Sequence, residues 1–323
     1  MKKRQMAVCD EEPDYTRQFA RYANRDREPL FLVHGYTDVQ ELIRDTKEHP
    51  ADIILLSPKY AEDFKKQEPT GQIICLTEEE YQEEEPEYPV IYKYQSCARI
   101  LKTAYAIYAE RTPAGIGTAV RLEEMKRIGI FSPLGRMGKT SFALAMGKEL
   151  AKQRRTLYIN MEEFSGFSVL YPCEEGQTLS ELIYFMKEGK KAFACKLESI
   201  MGRIGSLSYN PPVKSPAELK DIKKEDWEEL LRALEKESRY EFAILDLSFG
   251  VNGLFELLEQ CDAVYMPVAS DETARAKLWQ YRETLKLLEM EEILEKTTEI
   301  TFPENIEQLE GYAKAEGKRW SKS

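Results

Sequence analysis

The stretch Gly129-Ile130-Phe131-Ser132-Pro133-Leu134-Gly135-Arg136-Met137-Gly138-Lys139-Thr140-Ser141 decides how this chain is read. An apolar run enters a turn ending in Gly-Lys-Thr-Ser, and the segment Phe142 to Gln153 that follows is helix-forming. Strand, glycine-bearing turn and helix in that order make a phosphate-binding loop, because backbone N–H groups and the positive end of a helix converge there. Gly135, Arg136, Met137, Gly138, Lys139, Thr140 and Ser141 are the expected lining of the phosphates. Lys139 is expected on the β- and γ-phosphates, with the Thr140 hydroxyl on a magnesium ion. The usual pattern G-x-x-x-x-G-K-[ST] is broken once, since Pro133 stands at its first glycine.

Working outward, Arg155 to Glu162 reads as a second strand ending in polar residues. Tyr240-Glu241-Phe242-Ala243-Ile244-Leu245-Asp246 is an apolar strand closed by a carboxylate, the shape of a Walker B element, with Asp246 placed to hold magnesium through its water shell. Cys261 to Val268 reads as another buried strand. Continuous apolar strands separated by helical segments mean a parallel sheet covered on both faces. The fold class is α/β.

The chain has 323 residues, enough for two domains, and a net charge of −11, which argues against general affinity for nucleic acid or anionic membrane. Its six cysteines lack C-x-x-C spacing, so neither a zinc site nor a disulfide framework is indicated. No run approaches the length of a membrane span, and the N-terminal residues lack the apolar core of a signal peptide. A cytoplasmic protein, recruited to the cell pole or inner membrane face by partners if at all, is the expectation.

Before the loop, strand candidates at Met6–Cys9, Leu30–Val33, Asp52–Ser57, Gln72–Leu76 and Val90–Tyr92 alternate with helical segments such as Pro13–Asn24 and Asp38–Glu48. That alternation predicts a flavodoxin-like, doubly wound domain over residues 1–111. The acidic run Glu78 to Glu87 reads as a solvated loop, and Thr112 to Thr118 has linker composition. The linker spans 112–121, and 122–323 forms the second domain, its strand-and-helix pattern running to about residue 300. Ser206 to Asp221, with three prolines, reads as an extended connection leading to an amphipathic helix that carries Trp227, Leu230, Leu231 and Leu234. Glu272 to Glu295 reads as one amphipathic helix with Leu278, Leu285 and Leu288 inward. His34 and His49 have no nucleophile or ligand cluster in the pattern and read as structural or surface residues. The tail from Pro303 has few large apolar residues, which argues against membrane insertion.

The second half resembles the MinD/ParA group of P-loop ATPases, and specifically its TadZ/CpaE branch. The features that carry this are the compact loop with Gly135 ahead of Gly138, the segment Ser206-Leu207-Ser208-Tyr209-Asn210-Pro211-Pro212 followed by Lys224-Glu225-Asp226-Trp227 and the strand ending at Asp246, and a receiver-like unit in front. The resemblance implies ATP and Mg2+ as cofactors and catalytic roles for Lys139, Glu162 and Asp246. Thr140 and Asp246 are the implied metal residues. It implies a homodimer that docks protein partners of a pilus, secretion or polar-localisation system, with nucleotide tuning both, and with no nucleic acid bound and no membrane span.

Departures from that group bear on chemistry. Leu134 stands where a signature lysine usually reaches the partner's site, and Arg136 is the nearby cation that replaces it in function only if turned toward the phosphates. Asn160 stands where an aspartate is common. Glu162 falls at the acidic position that orients the attacking water, with one methylene more than the usual aspartate, so hydrolysis is expected to be slow or absent. In the N-terminal unit, Asp10 and Glu11 follow the first strand, where receivers keep acidic metal ligands. Thr77 and Lys93 match two further receiver positions. Ser57 replaces the phospho-accepting aspartate, and serine cannot form an acyl phosphate, so this is an atypical receiver without phosphorelay. A ParA-type partitioning ATPase and a scaffold that binds no nucleotide are the alternatives.

Overall fold

Apolar strands set the architecture in the computed structural model, which describes residues 4–26, 29–79, 87–112, 124–171, 178–189, 192–301 and 305–322. The expected linker beyond Thr112 and most of the acidic run after Glu79 lie outside the described residues. The chain divides into two units, Met1–Thr118 with Gly189–Ser199, and Ala119–Glu188 with Ile200–Ser323.

In the first unit β1 (Gln5–Cys9), α1 (Pro13–Ala23), β2 (Leu32–Tyr36), α2 (Val39–Glu48), β3 (Ile53–Leu56), α3 (Pro58–Lys65), β4 (Gln72–Thr77), β5 (Val90–Tyr92) and α4 (Cys97–Arg111) follow in order. The five strands run parallel in the order β2-β1-β3-β4-β5, the arrangement of flavodoxin-type doubly wound sheets. β3 is buried throughout, as a strand covered on both faces must be. β2 lies further along the chain than Leu30–Val33, because its register with β1 runs from Gln5↔Leu32 to Cys9↔Tyr36. The exposed His34 and Gly35 on this edge strand hid its second half from an apolar reading. Gly189–Ser199 belongs with this unit, where Arg4 donates to Cys195 Sγ at 3.4 Å.

The second unit contains β6 (Lys126–Ile130), α5 (Lys139–Leu150), β7 (Thr156–Met161), α6 (Phe167–Leu170) and α7 (Leu179–Lys187). Helix α8 (Phe193–Ile200) follows, all but its last residue in the first unit. Then come β8 (Gly202–Ile204), β9 (Leu207–Tyr209), α9 (Pro216–Asp221), α10 (Lys224–Glu237), β10 (Phe242–Leu247), α11 (Leu254–Glu259), β11 (Ala263–Val268), α12 (Glu272–Leu287), α13 (Glu292–Glu295), β12 (Thr297–Thr301) and α14 (Ile306–Trp320). The sheet order is β12-β11-β6-β10-β7-β9-β8, parallel except for β8 against β9. β7 and β10 are buried along their whole length. Helix α5 lies close to the sheet because Gly147 leaves room: a Cβ there would meet Leu207 at 3.0 Å and Ile244 at 3.2 Å.

Three expectations change here. The Ser206–Asp221 connection contains strand β9 and helix α9, since Pro216 occupies the first helical turn behind the N-cap Ser215, where a missing N–H costs nothing. The Glu272–Glu295 segment is two helices, broken at Glu289 with φ of 57°; Leu278 and Leu285 are buried but Leu288 is half exposed. The ordered unit also continues past residue 300. Leu309 and Ala313 of α14 are buried in the core that α5 helps to form, and Trp320 Nε1 donates to Tyr265 Oη at 2.9 Å.

Candidate functional site

The loop between β6 and α5 sits at the carboxyl end of a central strand, where open α/β sheets place their ligands. Gly138 ends the loop with φ of 69°, a conformation that favours glycine, and serves as the N-cap residue of α5. Arg136 also has a positive φ, 59°, and is exposed. The turn before them is fixed from inside. Ser132 Oγ donates to Pro267 O at 2.6 Å and accepts from Leu134 N at 3.1 Å, while Leu134 itself is buried. The buried Leu134 side chain therefore helps to hold the loop's shape. The first-turn amides of α5 lack intrahelical acceptors, and the helix dipole adds positive potential there.

Residues far apart in sequence meet at this loop. Lys139 Nζ pairs with Glu162 Oε1 at 2.5 Å and donates to Leu247 O at 2.8 Å. Thr140 Oγ1 donates to Asp246 Oδ2 at 2.7 Å. The carboxyl of Asp246 is fully buried. Tyr158 Oη also donates to Oδ2, at 2.8 Å, and in turn accepts from Asn160 Nδ2 at 3.0 Å. Among the described residues, Asp246 Oδ1 has no partner. Burial, the largest cause, drives the Asp246 pKa up; Lys139 opposes it, Glu162 adds to it, and the Thr140 and Tyr158 hydrogen bonds oppose it, for a net value of about 6.

A buried carboxylate oxygen without a partner beside a threonine hydroxyl fits a hard divalent cation, whose ligands are oxygens. Among the described residues no group of three or more His, Cys, Asp or Glu side chains is placed to hold a metal ion. A cation held by Thr140 and Asp246 would need its remaining ligands from outside the protein, a requirement that magnesium, which keeps several waters, tolerates. Lys139, Glu162, Thr140 and Asp246 are brought together; Arg136 is exposed on the loop, and no described contact ties it to this cluster. Tyr158, Asn210 and Ser132 are members that sequence reading missed. Asn210 Oδ1 accepts from Asn160 N at 2.7 Å. A phenol two residues before Asn160 in a buried strand was the available signal for Tyr158.

The first unit gathers a second cluster at the carboxyl ends of its strands. Lys93, 2% exposed, lies 3.0 Å from Asp10, 2.7 Å from Glu12 and 3.5 Å from Glu78. The rings of Tyr15 and Tyr94 lie 5.0 and 5.4 Å from its ammonium. Burial pulls the Lys93 pKa down, but hydrogen bonds to Glu12 and Asp10 outweigh it and hold the ammonium above its ordinary value. The acidic partner of Asp10 here is Glu12 and not Glu11, which pairs instead with Lys59 and Tyr60. Glu12 is the N-cap residue of α1, and its side chain makes no cap bond but meets Lys93. These carboxylates are already met by an internal cation, and the cluster does not fit a divalent metal. His34 and His49 bond to Gln5 and Asp45 at the surface.

No protein-family model matches the sequence, and no curated protein matches it. Among solved structures the chain is similar to an ATP complex of Cyanothece McdA (16% identity, 60% of this chain and 79% of that one, TM-score 0.43). It is similar to a putative plasmid partition protein of Borrelia burgdorferi bound to AMPPNP (18%, 59% and 90%, 0.41). It is also similar to the MinC:MinD cell division protein complex of Aquifex aeolicus (16%, 58% and 72%, 0.40). No helix among the described residues is long and apolar enough to cross a membrane.

Proposed function

We propose that the second unit binds magnesium-ATP on the loop Gly135–Ser141, and that nucleotide state tunes self-association and partner docking. The role is that of a localisation or assembly factor like the TadZ/CpaE branch, serving a pilus or secretion apparatus. The observation that supports this most is the convergence of Lys139, Thr140 and Asp246, with Asp246 Oδ1 buried and unpartnered. Lys139 takes the β/γ-phosphates, Thr140 and Asp246 hold magnesium, and Glu162 orients water in a slow or vestigial hydrolysis. A magnesium ion held by Thr140 and Asp246 would supply positive charge to offset that of the phosphates. The first unit, with Ser57 in place of an acceptor aspartate and Lys93 filling its acidic cluster, acts as a docking module without phosphorelay. Sedimentation of the full chain tests the reading: magnesium-ATP shifts it from monomer toward dimer, and an unchanged profile at saturating nucleotide contradicts the tuning.

The Lys139–Glu162 pair makes a prediction of its own. An incoming triphosphate must draw Lys139 away from a carboxylate that holds it in a largely buried site. Glu162→Gln removes that competitor, so ATP affinity should rise about tenfold, or about 1.4 kcal/mol, while any turnover falls. Calorimetry on the two proteins decides it: equal or weaker binding by the variant means Lys139 leaves Glu162 without cost.

A further inference from the structure

We propose that Tyr158 is the positioning residue for Asp246, holding Oδ2 so that Oδ1 remains the acceptor for a divalent cation. This rests on the magnesium-ATP reading of the loop. Tyr158 lies on β7, a strand buried at every position, and its own side chain is fully buried. A phenol in such a place costs desolvation unless its hydroxyl is bonded. Here it is bonded twice, donating to Asp246 Oδ2 at 2.8 Å and accepting from Asn160 Nδ2 at 3.0 Å.

The direction of those bonds matters. A phenol has one proton. Because the Asn160 amide donates to its oxygen, that proton is committed to Asp246. Asn160 is itself fixed, with its N–H on Asn210 Oδ1 at 2.7 Å and its Oδ1 accepting from Glu162 N at 3.1 Å. Oδ2 thus receives two hydroxyl donors, from Tyr158 and Thr140, and turning the carboxyl group would break both. An aspartate at position 160 would accept the phenol proton and compete with Asp246 for it. Asn160 and Tyr158 therefore form one device, and the amide at 160 is what lets a tyrosine at 158 serve Asp246.

The test measures ATP affinity of the full chain by calorimetry, with magnesium and with chelator, for wild type, Tyr158→Phe, Asn160→Asp and the double variant. The ratio of the two affinities is the magnesium enhancement. Tyr158→Phe is expected to lower that ratio about tenfold while chelator-condition affinity stays within about twofold, an effect that general loss of structure would not give. Asn160→Asp, which keeps the phenol, should lower the ratio as well. The double variant should do little more than either single change, because the two residues act as a unit. Manganese bound alongside ATP, followed by its paramagnetic resonance signal, should be held more weakly in both single variants. An unchanged ratio in folded Tyr158→Phe overturns the proposal, and so do equal losses with and without magnesium. Wild type that binds no ATP at all overturns the parent reading of the loop and this inference with it.

Discussion

Asp246→Asn is expected to make the protein more stable at pH 7.5 while removing the magnesium enhancement of nucleotide binding. The buried Asp246 carboxyl has its pKa raised from 3.8 to about 6, first of all by burial. The folded state therefore holds that proton more tightly than the unfolded chain does. Ionisation costs the folded state nothing below pH 3.8, progressively more up to about 6, and the full amount above it. Roughly two pH units correspond to about 3 kcal/mol. The amide keeps one oxygen to accept from Thr140 and Tyr158, but leaves an NH2 group without a partner, which returns about 1 kcal/mol. A net gain of about 2 kcal/mol, or a rise of about 5 °C in the unfolding of the second unit, should appear at pH 7.5 and vanish near pH 4. Calorimetric melts at the two pH values check the sign. A loss of stability at pH 7.5, or an equal gain at pH 4, would remove the buried charge as its cause.

Lys93→Met carries the second large effect. It leaves Asp10, 4% exposed, as a buried carboxylate without its cation, a change worth about 3–5 kcal/mol. Glu12 and Glu78 are more than half exposed and can return to water. The sign follows from the raised Lys93 pKa: while its carboxylate partners are ionised, the charged lysine stabilises the fold below the unfolded lysine's pKa, and this is lost as pH rises through the folded value. The contribution is therefore flat across the neutral range. Amide exchange in β1, β4 and β5 should accelerate by at least about 100-fold at pH 7, read by mass spectrometry on the full chain. Adding Asp10→Asn should recover part of the protection, because the orphaned charge goes with it. Exchange that stays slow in Lys93→Met would show that the ion pair contributes little.

Much of this was legible in the residues, and the reasons are physical. A parallel strand buried on both faces leaves a largely apolar run, so β7, β10 and β11 stood out, and Asp246 stood out because it follows such a run. The turn with Gly138, Lys139 and Thr140 was visible because an apolar strand precedes it and a helix-forming segment follows. What stayed hidden depends on tertiary partners. Edge strand β2 is half polar, so its apolar signal ends before its hydrogen bonds do. Pro216 suggested extended chain, since nothing local distinguishes a proline in a loop from one in a first helical turn. The choice of Glu12 over Glu11 beside Lys93 turns on where α1 starts, and the Lys139–Glu162 pair on how two loops approach each other. The role of Tyr158 depends on where Asp246 and Asn160 place their polar atoms around its hydroxyl, which no local pattern specifies.

The most direct test of the central claim is a calorimetric titration of magnesium-ATP into wild type and Lys139→Ala. The cluster of Lys139, Thr140 and Asp246 predicts saturable binding by wild type, and affinity at least about 100-fold weaker in a variant that remains folded, as expected when a charge-assisted contact to phosphate is lost. Equal binding by both proteins, or none by either, would contradict it.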